Sequence, residues 1–153
     1  MNFSQWRRRW GRKYPSGIEL LLALYALIGL GRLPAFRYQI NPDGVAYIDL
    51  ARLYADGQWW TAINAYWSPM FSWLLAPLIA IGLNPLIAGK LVQLGGGAGL
   101  LVAMWLLSRH WRPRWMVWSL LGAMAVVILS WALTYGTTPD LVLAALVVGF
   151  WQY

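Results

Sequence analysis

Residues 86–133 read LIAGKLVQLGGGAGLLVAMWLLSRHWRPRWMVWSLLGAMAVVILSWAL: two apolar runs, 86–107 and 115–133, joined by the short basic connector SRHWRPRW. A run of about 20 apolar residues is what an α-helix needs to cross ~30 Å of hydrocarbon at ~1.5 Å per residue. Arg109, Arg112 and Arg114 give the connector the Lys/Arg excess of a cytoplasmic loop. The stretch therefore reads as a helical hairpin in lipid, and that choice of solvent governs the rest of the chain.

Working outward, further apolar runs occupy 17–31 and 69–83, and an apolar tail runs from 141. Hydrophobic residues make up 60% of the chain and charged ones 11%, with a mean hydropathy of +0.53. That composition fits an all-α polytopic membrane protein, about four transmembrane helices plus amphipathic juxtamembrane helices in the first outer loop. Of the 12 Trp and 8 Tyr, many flank the apolar runs (Trp6, Trp10, Trp59, Trp60, Trp67, Trp111, Trp115), as an interfacial aromatic belt does. The absence of cysteine removes disulfides and thiolate metal sites. The net charge of +7 comes largely from Arg7, Arg8, Arg9, Arg12 and Lys13 before the first run and from the connector. Two short clusters anchor a membrane protein; they do not form a groove-reading surface, so no nucleic-acid partner is expected.

If both basic clusters are cytoplasmic, an even number of crossings must separate them, yet three apolar runs lie between. The run 69–83, PMFSWLLAPLIAIGL, is the weakest, roughly 22 Å of helix with Pro77 inside it. It is expected to be interfacial or re-entrant. Spans are then expected at 17–35, 86–108, 115–134 and 139–153, all within one membrane domain, 1–153. Residues 1–16 form a cytoplasmic basic segment and 36–85 an outer loop. No small-residue cleavage site follows the first run before GRLPAFRY, so it reads as a retained anchor; the expected location is a bacterial inner (plasma) membrane with the N-terminus cytoplasmic. The last run is still apolar at Tyr153, which predicts that the chain is the N-terminal part of a longer protein.

Three of the five acidic residues lie in one stretch of that outer loop, NPDGVAYIDLARLYADGQWW, 41–60. Asn41 is the expected N-cap, Pro42 the first helical residue and Gly57 the stop. At 100° per residue Asp43 shares a stripe with Tyr47, Leu50 and Tyr54, while Asp49, Arg52 and Asp56 form a solvated ionic face. Asp43 and Asp140 are both acids in a first helical turn, where the helix dipole favours negative charge. They are also carboxylates on one side of a membrane, at its surface, where ionisable groups tend to be functional.

The arrangement of these motifs resembles the membrane glycosyltransferases of the GT-C fold, in particular the protein-mannosyltransferase and aminoarabinose-transferase-like group that uses polyprenyl-phosphate sugars. The matching features are a first span, an outer-loop acid-x-x-x-Tyr motif (DGVAY, Asp43 to Tyr47), a proline-led short helix (WSPMFSWLLAP), a span beginning NPLIAGKLVQL, and a second acid in TTPDLVLAALVV. Gly44 stands where the motif often has a second acid, and Ser68 where the first proline of a pair is usual. The resemblance implies inverting transfer of a sugar from a lipid-phosphate donor to an acceptor on the outer face. Asp43 would be the general base, and Asp140 would position the acceptor or a divalent metal. Lys90 or Arg37 would offset charge on the leaving phosphate, and Tyr47 and Trp67 would stack on sugar or prenyl groups. Membrane lipid and the lipid-linked donor are the implied partners. No ligand spacing indicates a metal, and His110 has no neighbouring ligands. GGGAG at 95–99 lies inside a span and reads as a close helix crossing, not a phosphate loop. Lys90 and the two aromatics also fit plain interfacial anchoring. A non-enzymatic membrane subunit or assembly factor and part of a transporter are the other functional classes that the pattern admits.

Overall fold

The computed structural model describes residues 17–108, 114–134 and 138–151, and every described regular element is helical. The basic segment 1–16, residues 109–113 with Arg109, His110 and Arg112, and residues 135–137 and 152–153 lie outside the described residues. In chain order the helices are α1 (Gly17–Phe36), α2 (Pro42–Ala55), α3 (Trp59–Ala62), α4 (Pro69–Ala80), α5 (Pro85–Ser108), α6 (Arg114–Thr134) and α7 (Asp140–Phe150).

Three of these, α1, α5 and α6, are long and apolar enough to cross a membrane, at 20, 24 and 21 residues. Their bounds match the expected spans to within a residue. The fourth expected span, 139–153, is represented by α7 at 11 residues, or about 16 Å of helix against ~30 Å of hydrocarbon. Among the described residues three spans are thus long and apolar enough, and a fourth is not confirmed. The run 69–83 yields α4 at 12 residues, also below spanning length.

The long helices pack as a three-membered core with α5 antiparallel to α1 and α6. Tyr25 of α1 donates its hydroxyl to the Leu94 carbonyl at 3.3 Å, and Tyr25, Leu94, Leu101 and Ile128 form a buried cluster joined by Leu141 of α7. In lipid the apolar effect does not separate helix from solvent, so close van der Waals contact must hold the helices together. The glycines of α5 supply it. A methyl group at Gly97 would meet Ile128 Cγ2 at 2.5 Å and also the Tyr25 hydroxyl, and one at Gly96 would meet the Val142 backbone nitrogen at 3.0 Å. GGGAG is therefore where α1, α6 and α7 all approach α5, a close helix packing as expected of it. α7 runs parallel to α5, with Gly96 against Val142 and Gly99 against Ala145.

At one end of this bundle α2 and α4 lie against each other and against the start of α5. Asn41 caps α2, its side-chain oxygen accepting from the Gly44 N–H at 3.2 Å. Gly57, at φ 75°, closes the helix in a Schellman turn, with Gln58 N–H donating to Leu53 O at 2.8 Å and Gly57 N–H to Tyr54 O at 3.1 Å. The buried side of α2 carries Tyr47, Ile48, Ala51 and Tyr54, and Phe71 and Leu75 of α4 are fully covered against the first three. The fully buried Ser72 ties the two helices by donating to the Tyr47 carbonyl at 3.0 Å. The expected ionic face is half realised. Arg52 pairs with Asp49 at 3.1 Å, both exposed, whereas Asp56 is the helix C-cap and its N–H bonds the Arg52 carbonyl. Asn41→Ala should lower stability by about 1 kcal/mol through loss of the cap. Arg52→Ala should change it by less than about 0.5 kcal/mol, because an exposed pair contributes little. Denaturation midpoints followed by circular dichroism in detergent distinguish the two.

Candidate functional site

The antiparallel order puts the start of α5, the end of α6, the start of α7 and the α2–α4 layer at the same end of the bundle. Asp43 and Asp140, 97 positions apart in the chain, both lie in first helical turns there. The side chains described at this end come from α2, α4, α5 and α7 and from the turn before α4.

Tyr47 is the centre. Its ring is buried, with 6% of the residue exposed, and it meets Trp67 edge-on at 5.2 Å and Phe71 at 5.3 Å between ring centroids. Val142, two residues after Asp140, packs against the same cluster. Its phenol is held above its ordinary value of 10.0, first by burial, then by the negative charge of Asp43 and of Asp140. Both carboxylates therefore act on one phenol, and the tyrosine stays a neutral hydrogen-bond donor at physiological pH. Asp43 and Asp140 are themselves exposed, so the group is open to a ligand.

A folded state that holds the Tyr47 proton more tightly than the unfolded chain gains stability from this group below about pH 10 and loses it as pH rises through the folded value. Tyr47→Phe should accordingly reduce the alkaline loss of helical signal above pH 10. Circular dichroism between pH 8 and pH 12 reads it.

Beneath Asp140 lies a polar set that spacing along the chain does not bring together. Thr138 donates its hydroxyl to Asp140 Oδ2 at 2.6 Å. Gln93 of α5, fully buried, donates its amide to the Thr138 carbonyl. Its own Oε1 is the one buried side-chain polar atom without a partner among the described residues, at a cost of about 1–3 kcal/mol. One turn earlier, Lys90 is 1% exposed and donates to the Leu133 carbonyl at 2.6 Å. That carbonyl belongs to the last turn of α6, where carbonyls lack helical partners and the dipole favours a cation. Snorkelling to the interface, the simple alternative for Lys90, is not what it does: it turns inward and caps a neighbouring helix. Within-span polar residues at i and i+3 are the signal in KLVQ that could have paired Lys90 with Gln93.

The expected site residues thus divide. Tyr47 and Trp67 are in ring contact, and the charges of Asp43 and Asp140 both raise the Tyr47 phenol. Lys90 lies below them, engaged with α6. Arg37 is exposed just past α1 and stacks over Tyr38, 4.6 Å from the ring centroid. Among the described residues no three His, Cys, Asp or Glu side chains gather in a metal-binding group. Comparison with protein-family models, with curated proteins and with solved structures found no match to this chain.

Proposed function

We propose that the chain carries the acidic centre of a membrane glycosyltransferase that moves a sugar from a polyprenyl-phosphate donor to an acceptor hydroxyl at the outer face of a bacterial inner membrane. The negative charge of both Asp43 and Asp140 acting on the buried Tyr47 phenol, with Trp67 against its ring, carries this reading. A base, a second carboxylate and a neutral phenol, with the Trp67 ring alongside, form a surface suited to a polyhydroxylated ligand. In the transfer, the acceptor oxygen bonds to the anomeric carbon as the bond to phosphate breaks. The acceptor proton passes to Asp43, and the polyprenyl phosphate leaves with the bonding electrons. Asp140 holds the acceptor by accepting a second hydroxyl hydrogen bond, and Tyr47 donates to an oxygen between them. Charge growing on the leaving phosphate calls for a cation. Arg37 has the access for that role, while Lys90 is committed to the end of α6.

The test is reconstitution of the full-length protein in proteoliposomes with a radiolabelled polyprenyl-phosphate sugar. Covalent labelling of an acceptor supports the proposal. Movement of labelled sugar across the bilayer without transfer would instead assign the chain to a transporter, and neither activity would leave a packing subunit.

A further inference from the structure

We propose that Gln93 is a positioning residue for Asp140: reaching across from α5, its amide holds the Thr138 carbonyl, and Thr138 in turn holds the Asp140 carboxylate at the start of α7. The geometry is a continuous relay. Gln93 donates to the Thr138 backbone, the Thr138 hydroxyl donates to Asp140 Oδ2 at 2.6 Å, and Val142, one half-turn further, is seated in the Tyr47 and Phe71 cluster. Lys90 makes the relay a two-point brace. It pins Leu133 at the end of α6, as Gln93 pins Thr138 just before α7, so side chains one turn apart on α5 hold both ends of the connection that delivers Asp140.

Two further observations favour positioning over packing. The Pro139 N-cap of α7 has no side-chain polar atom with which to cap it, so the polar contacts at this helix start come from Thr138 and Gln93. The buried Oε1 of Gln93 has no partner, which an apolar side chain of similar volume would avoid; what the amide adds is the N–H aimed at Thr138. The catalytic meaning of the brace rests on the role proposed for Asp140 above, whereas the brace itself stands on the hydrogen bonds.

Tyr47 serves as the internal probe, since the charges of Asp43 and Asp140 both act on its phenol. In the full-length protein in lipid nanodiscs, tyrosine carrying 13C at Cζ resolves the phenol titrations, and Tyr47→Phe assigns the relevant one. Asp140→Asn should lower the Tyr47 midpoint by removing a negative neighbour. Gln93→Leu and Thr138→Val should each lower it in the same direction, by roughly half a pH unit. Thr138→Ser, which keeps the hydroxyl, should retain the wild-type midpoint, and Gln93→Leu should add nothing in the Asp140→Asn background. Should Gln93→Leu fail to insert, Gln93→Met, which also lacks the amide, carries the test of the first bond, while Thr138→Val, which replaces the hydroxyl by a methyl, tests the second. An unchanged midpoint in the Gln93 and Thr138 variants overturns the brace, whether or not Asp140→Asn moves it, and so does a full shift by Gln93→Leu when Asp140 is already asparagine. Sugar transfer read on the same preparations separates the two proposals. Midpoint shifts with no transfer by the wild type keep the brace and remove the enzymatic reading, while transfer with unmoved midpoints removes the brace alone.

Discussion

Asp43→Asn in the full-length protein is expected to reduce sugar transfer by about 10²- to 10⁴-fold, the range that a positioned general base supplies. Asparagine keeps the shape of the side chain and its place in the first turn of α2, and the Asn41 cap on the Gly44 N–H is untouched. Losing the favourable contact of a carboxylate with the helix N-terminus costs only about 0.3–1 kcal/mol of stability. A merely structural Asp43 would therefore show a small drop in the denaturation midpoint and little change in rate. Asp49→Asn is the matched control, since it removes an exposed acid of the same helix whose partner is Arg52 at 3.1 Å; transfer should stay within about twofold, as an exposed pair contributes little. Initial rates at saturating polyprenyl-phosphate sugar, with insertion checked by protease protection, give the comparison. Asp43→Asn turnover equal to that of Asp49→Asn would sink the base assignment.

The second large effect is expected at the helix crossing. Gly97→Val should destabilise the bundle by about 3 kcal/mol, the upper end of the overpacking range. The added atoms would run into Ile128 Cγ2, 2.5 Å from the position of a Cβ, and into the Tyr25 hydroxyl. That hydroxyl already donates to the Leu94 carbonyl on the same helix as Gly97, so moving it aside breaks a buried bond. Gly95, two residues earlier, has nothing within 4 Å of the place a Cβ would occupy and is exposed. Gly95→Val should change stability by less than about 0.5 kcal/mol, as surface substitutions usually do. Unfolding by titrated SDS, followed by helical signal, reads both. Equal midpoints would mean that the three helices do not meet as closely as the glycine geometry requires.

Much of this architecture is legible residue by residue. Spans at 17–35, 86–108 and 115–134 follow from runs of apolar side chains, because in lipid every backbone polar group must be bonded within its own helix. The cap at Asn41, the stop at Gly57 and the packing role of GGGAG follow from local backbone chemistry, which acts over four or five residues. A span at 139–153 is not confirmed by α7, because apolar composition alone marks a run without fixing how long a helix it makes. The inward turn of Lys90 has a different cause. A long cationic side chain in a span can reach the interface or a helix end, and only the position of Leu133 selects between them.

The sequence alone determined the helical class, the ends of three helices long and apolar enough to cross a membrane, and the two acidic turns, all set by composition and by contacts between near neighbours. Tertiary structure decided what those turns share. Val142 against Tyr47, Gln93 on Thr138 and Lys90 on the end of α6 are meetings of residues 43 to 95 positions apart, set by the antiparallel crossing at Gly97. No periodicity within one helix encodes such meetings, because they depend on the relative rotation and depth of several helices, which the close contacts at their crossing points select.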